Sequence, residues 1–153
     1  MNTTTTAAGS SGGKPMAGTD RAVITSSKAP QPLGAYSMAM SVSPRKLIYI
    51  AGQVSVDSSG SLVGKGNVVA QTRQALKNIG HVLAAAGASF SDVVEFTTYV
   101  VGRPSVQGYI QGRSEVYPEM YPDSDFPPNT LLVVAGLVDE DFLVEIKAVA
   151  ALH

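Results

Sequence analysis

The apolar positions of this chain change period several times, and the changes divide it into short elements. Ala22 to Thr25, Tyr36 to Val42 and Leu47 to Ala51 read as strands. The last two are separated by the breaker Ser43-Pro44-Arg45, which predicts a hairpin opening the domain. Asp57-Ser58-Ser59-Gly60 reads as a turn. From Asn67 the period becomes helical: Val69, Leu76, Ile79, Leu83 and Ala86 recur at spacings of 7, 3, 4 and 3, with Asn67 as cap and Gly87 as stop. A strand is predicted over Val93 to Val101. A second helix opens at Pro104-Ser105 and carries Val106, Tyr109, Ile110, Arg113, Val116, Tyr117 and Met120, with Gly108, Gly112 and Pro118 expected to weaken it or bend its end. Tyr121 to Pro128 is a proline-rich loop, and Asn129 to Ala135 and Phe142 to Ala151 are the closing strands around Gly136 to Asp141.

This order predicts an α+β fold, a mixed sheet with two helices packed on one face. Alternation puts Val144, Ile146, Ala148 and Ala150 on one side of the last strand and Leu143, Glu145, Lys147 and Val149 on the other. In the middle strand Val94, Phe96 and Thr98 oppose Glu95, Thr97 and Tyr99. One face of each strand is nearly pure apolar and suits the helices. The other is too apolar to be wholly solvated and too polar for an ordinary core, so it is read as a subunit interface enclosing polar pockets.

Composition narrows the partners. The 153 residues fit a single domain over 21–153, preceded by a Thr, Ala, Gly and Ser stretch at 1–20 that reads as a flexible tail. Only 15% of residues are charged against 44% hydrophobic, which again hints at buried subunit surface. With 11 basic and 12 acidic residues and no Lys/Arg run, the chain lacks the electrostatic footprint of a nucleic-acid or membrane binder, and a small molecule is the better partner. There is no cysteine, and the two histidines, His81 and His153, are too separated for a zinc centre, so no metal is expected. Neither a membrane span nor a signal peptide is evident, and a soluble cytoplasmic protein is expected.

Among candidate chemical groups, Glu145 interrupts an apolar strand, where it is either a general acid/base or water-positioning carboxylate or the partner of Lys147 or a cross-strand neighbour. Asn129 begins a strand after Phe126-Pro127-Pro128, where its amide either holds a ligand or satisfies backbone groups. Tyr36 is either a ligand-facing phenol or an aromatic lid over the core. His81 should lie away from the apolar stripe of its helix, and Gly64-Lys65-Gly66 reads as a turn rather than an anion site.

Taken together, Ala29-Pro30, Pro32-Leu33-Gly34-Ala35-Tyr36, Ile50-Ala51-Gly52-Gln53, the helix Gln71 to Ile79, Phe126-Pro127-Pro128 and Val144-Glu145-Ile146-Lys147-Ala148 resemble the YjgF/RidA family from about Ala22 to the C-terminus. The resemblance implies a chorismate-mutase-like fold, a homotrimer with ligand clefts at subunit interfaces, hydrolysis of reactive enamines and imines such as 2-aminoacrylate, and no cofactor. It also implies roles: Glu145 positions or activates water, the Leu131 carbonyl assists, and Tyr36 shapes the pocket. Asn129 takes the place of an Arg that clamps the substrate carboxylate, Ala51 that of a Ser, and Gln111 that of an Asn.

Replacing a guanidinium by a carboxamide removes a fixed charge and a bidentate donor pair. The loss of such a pair in a desolvated pocket costs roughly 2 to 5 kcal/mol. Arg103 and Arg113 are the nearest replacements, but Arg113 is two residues from Gln111 and so faces another side of the helix. The expectation is an imine or enamine deaminase or related hydrolase of altered specificity. The alternative is a non-catalytic trimeric binding or scaffold protein, and a third description used for such proteins, ribonuclease or translation inhibitor, finds no basic patch here.

Overall fold

Residues 21–153 are described by the structure, a computed structural model, and the tail expected at 1–20 lies outside them. Strands β1 (Arg21–Ile24) and β2 (Ala39–Val42) form a small antiparallel pair, with Arg21 opposite Val42 and Ile24 opposite Ala39. Strands β3 (Lys46–Gln53), β4 (Val93–Val101), β5 (Asn129–Val134) and β6 (Val144–Leu152) make a mixed sheet in the order β3-β6-β4-β5, in which β4 and β5 run parallel. The hairpin expected across Ser43-Pro44-Arg45 is therefore not formed. Pro44 has no N–H to give a ladder and does not suit a tight hairpin turn. Instead the segment carries the chain from one sheet to the other, where the Arg45 N–H donates to the Leu152 carbonyl at 2.9 Å.

Helix α1 (Val68–Ala85) starts where Asn67 Oδ1 accepts from the Ala70 N–H at 3.0 Å, and it stops before Gly87, whose φ of 71° needs a residue without Cβ. Its buried stripe, Ala75, Leu76, Ile79 and Leu83, packs on Val144, Ile146, Ala148 and Ala150 of β6, as alternation predicts. Strand β4 departs from simple alternation. An irregular register between Val93 and Glu95 inserts an extra residue, so Val93, and not Val94, shares the helix face with Phe96, Thr98 and Val100.

Helix α2 (Ser105–Met120) runs through Pro118 in its last turn. Gly108 and Gly112 bring it against α1. A Cβ on Gly108 would lie 2.8 Å from Val68 Cβ, and one on Gly112 would lie 2.8 Å from both Thr72 Cβ and the Val69 carbonyl oxygen. Among the described residues no helix covers the other face of the sheet. That face presents Leu47 and Tyr49 of β3, Tyr49 being 75% exposed, with Leu132 of β5 and the Glu145, Lys147 and Val149 row of β6. No helix among the described residues is long and apolar enough to cross a membrane.

Candidate functional site

Residues Leu33 to Tyr36 border two neighbouring cavities, both lined by α2 and one of them reaching the outer strand β5. The smaller, about 190 Å³, is lined by Leu33, Gly34, Tyr36, Tyr109, Ile110, Arg113, Asn129 and Leu131. The larger, about 420 Å³, shares Gly34, Ile110 and Arg113 and continues along Tyr117, Tyr121 and Phe126. Aromatic contacts build its far wall: the Tyr117 and Phe126 rings stack at 5.4 Å, and Tyr121 meets Tyr117 edge-on at 5.2 Å.

Asn129 opens β5 beside Phe96, which puts its side chain on the helix face. There it closes a ring of three polar groups. The Thr98 hydroxyl donates to Asn129 Oδ1 at 3.1 Å, Asn129 Nδ2 donates to the Tyr109 hydroxyl at 2.9 Å, and the two hydroxyls are 3.2 Å apart. Thr98 is fully buried and Tyr109 nearly so, which makes the ring a rigid mount. One amide N–H of Asn129 is left over from it. Its amide thus bonds side chains rather than backbone groups while lining the cavity.

Leu131 lies two residues further along β5. The Phe96 and Gly102 N–H groups take the carbonyls of Pro128 and Val134, so by strand alternation the Asn129, Leu131 and Val133 carbonyls point away from β4 at the sheet edge. Tyr36 is half-buried in the loop, its hydroxyl accepting from the Leu33 N–H at 3.1 Å.

Arg113 is 8% exposed, and its guanidinium carbon stands 5.4 Å from the Tyr109 ring centre and 5.2 Å from that of Tyr117. Burial, then Tyr109, pushes the Tyr117 phenol above its ordinary range, and the Arg113 charge opposes this in part. Gln111 faces elsewhere: it is exposed, donates to Glu115 at 3.1 Å and lines neither cavity.

Glu145 occupies the opposite face of the sheet. It pairs with Tyr99 in the antiparallel ladder, three residues from the helix-facing Ala148. It takes part in none of the three ion pairs among the described residues, so the Lys147 pairing does not form. Its carboxyl group rests over Gly52, beside exposed Ala51, where the β3–β6 register shifts between Ile50 and Gln53. A single chain thus gathers Asn129, Leu131 and Tyr36 at one cleft, and leaves Glu145 and Ala51 on the other side and Gln111 outside.

His81 is exposed on α1. Gly64-Lys65-Gly66 is a turn, tied down by a 2.6 Å Lys65–Asp141 pair and by Gln71 donating to the Gly64 and Asp141 carbonyls. No group of three or more His, Cys, Asp or Glu among the described residues is placed to hold a metal. Thr98, Tyr109 and Gly52 are read from the sequence only as parts of elements and motifs, not as site residues. Tyr109 and Arg113 do share a helical face at a spacing of four, which is the signal that could have joined them.

Residues 26–152 match the model of the protein family described as Endoribonuclease L-PSP. The chain is 38% identical over 130 residues to 2-iminobutanoate/2-iminopropanoate deaminase of Mus musculus, spanning 85% of this chain and 90% of that protein. It is 34% identical over 128 residues to a RutC family protein of Pyrococcus abyssi, spanning 84% of this chain and 94% of that protein. A solved structure of YyfB, a Rid family protein of Yersinia pestis, matches with a TM-score of 0.78 at 32% identity, covering 87% of this chain and 99% of that one. With its two helices on one face of a mixed sheet and these matches over most of its length, the chain belongs to the YjgF/RidA family.

Proposed function

We propose that the protein hydrolyses a reactive imine or enamine, with a specificity altered by Asn129, in clefts completed between the subunits of a homotrimer. The observation that carries this reading is the division of the candidate groups. Asn129, Tyr36 and Leu131 border one cleft, while Glu145 lies on the opposite face of the same sheet. They act on one molecule only if Glu145 of a partner subunit faces the Asn129 cleft. The apolar surfaces on both sides support such packing: Leu131, Leu132 and Val133 on the free edge strand are 37%, 38% and 42% exposed, and Leu47 and Tyr49 are exposed on the uncovered face.

In this scheme the spare Asn129 N–H and the Leu131 carbonyl fix the substrate, the carbonyl accepting from the imine or iminium N–H. The Glu145 carboxylate takes a proton from water as the oxygen bonds to the C=N carbon, giving a carbinolamine. That proton then goes to nitrogen, the hydroxyl proton passes to the freed Glu145 carboxylate as the C=O bond forms and the C–N bond breaks, and ammonia or an amine leaves. The relatives named 2-iminobutanoate/2-iminopropanoate deaminase support this reaction class.

A nuclease reading rests on the description of the matching family model, and the charge of the chain does not favour it. The net charge is −1, and Arg21, Lys65 and Arg73 are engaged by acidic side chains. The test is to generate imines in place from a panel of amino acids and of amines lacking a carboxylate, and to follow loss of the semicarbazide-trapped species. Acceleration with at least one set is expected. No acceleration with either would overturn the reaction and favour a binding protein.

A further inference from the structure

We infer that Arg113 is the anion-binding residue of this cleft, holding the carboxylate of a substrate whose apolar side chain occupies the larger cavity. This rests on the reading of the cleft as the substrate site. A buried guanidinium is costly unless a carboxylate or several hydrogen bonds compensate it. Arg113 has no carboxylate partner among the described residues: it is in none of the three ion pairs, and the acceptor beside its guanidinium is the neutral Tyr117 phenol. The π faces of Tyr109 and Tyr117 offset part of that cost.

Acids of the same helix and of the following loop are engaged elsewhere. Glu115 accepts from Arg73 and Gln111, and Asp125 pairs with Arg21. The charge nevertheless borders open space, because Arg113 lines both cavities and its Nη2 reaches to 3.6 Å from where a Gly34 Cβ would stand. Guanidinium N–H donors in that position suit a planar carboxylate.

The two cavities set the rest of the ligand. The 190 Å³ side holds Asn129 and Leu131, where the reacting carbon would lie next to a carboxylate on Arg113. The 420 Å³ side runs along Tyr117, Tyr121 and Phe126, a wall that suits an aromatic or branched apolar side chain and offers a methyl group little. The substrate class is therefore the imine or enamine of a bulky apolar 2-amino acid, with Arg113 on α2 supplying the positive charge that Asn129 on β5 lacks.

Calorimetric titration of the purified protein with 3-phenylpropanoate, its neutral amide and propanoate tests this without requiring turnover. We expect 3-phenylpropanoate to bind at least tenfold more tightly than either of the others. Arg113→Gln should abolish the preference for carboxylate over amide, a loss of roughly thirtyfold or more in affinity for the acid. Arg113→Lys, which keeps the charge without the fork, should retain part of it, and circular dichroism checks that both variants fold. Equal affinity for acid and amide in the wild-type protein, an unchanged preference in a folded Arg113→Gln variant, or no binding of the acid up to about 10 mM would each overturn the inference. Equal affinity for propanoate and 3-phenylpropanoate would overturn the assigned side-chain cavity. Binding through Arg113 in a protein that hydrolyses no imine would overturn the reaction instead and leave the anion site standing.

Discussion

A methyl group on Gly52 would stand 1.8 Å from Oε1 and 2.6 Å from Cδ of Glu145, so the carboxylate of β6 rests directly on the bare backbone of β3. A glycine within a strand marks close approach, and here the approaching group is the side chain proposed to activate water. Gly52→Ala meets the end of a flexible side chain rather than backbone, and Glu145 can turn to another rotamer at about 1 kcal/mol. The variant should fold, yet misplace the carboxylate by an ångström or more and lose about a hundredfold in imine hydrolysis. Denaturant unfolding beside initial rates checks this. Full turnover in Gly52→Ala would remove Glu145 from its assigned position.

Gly112 gives a prediction opposite in sign to helix propensity. In an exposed helix Gly→Ala gains about 1 kcal/mol. Here the new Cβ would meet Thr72 Cβ and the Val69 carbonyl oxygen at 2.8 Å, groups that cannot rotate away, so α1 and α2 must separate. Gly112→Ala should cost about 1 to 3 kcal/mol. Gly136→Ala, with nothing within 4 Å of the new Cβ, should change stability by less than about 0.5 kcal/mol. Chemical unfolding of both measures the contrast, and an unchanged Gly112→Ala would mean that the helices are not in close contact there.

These two glycines also mark where the sequence was legible. Periodicity located both helices and the core face of β6, because burial on one side of an element leaves a repeating trace. Pairing partners leave no such trace. The patterns of β2 and β3 allow a hairpin as readily as the crossover that forms, and the bulge at Val93 to Glu95 shifts the face of β4 without altering its composition. At the site, Glu145 and Asn129 could be chosen as polar groups out of place in apolar strands. Their location on opposite faces depends on the register of three strands. Arg113 was set aside because it does not share a face with Gln111; that reasoning holds, but it is the Arg113 face, not the Gln111 face, that lines the cleft.

Alkaline pH should destabilise the fold through two tyrosines. Burial raises the phenol pKa values of Tyr117 and Tyr121 above the ordinary 10.0, with neighbouring tyrosines adding to the shift. A pKa raised in the folded state gives stability that is complete below the unfolded value and is lost as pH climbs above it. Stability should therefore be flat with respect to these groups below about pH 9 and fall above about pH 10 by roughly 1.4 kcal/mol per pH unit for each tyrosine. Urea unfolding at a series of pH values reads the slope, and Tyr121→Phe should remove about half of it. No fall between pH 10 and 11 would mean that these phenols ionise in the folded protein.

The central claim, that each site joins the Asn129 cleft of one subunit to Glu145 of its partner, is tested most directly by subunit mixing. Asn129→Ala and Glu145→Ala are each expected to form trimers without appreciable imine hydrolysis. When the two are refolded together in equal amounts, random assembly gives each cleft an even chance of an intact Asn129 side and an even chance of an intact Glu145 side. About one quarter of the wild-type activity should return. Mixed trimers that recover no activity above that of either parent would contradict the shared site.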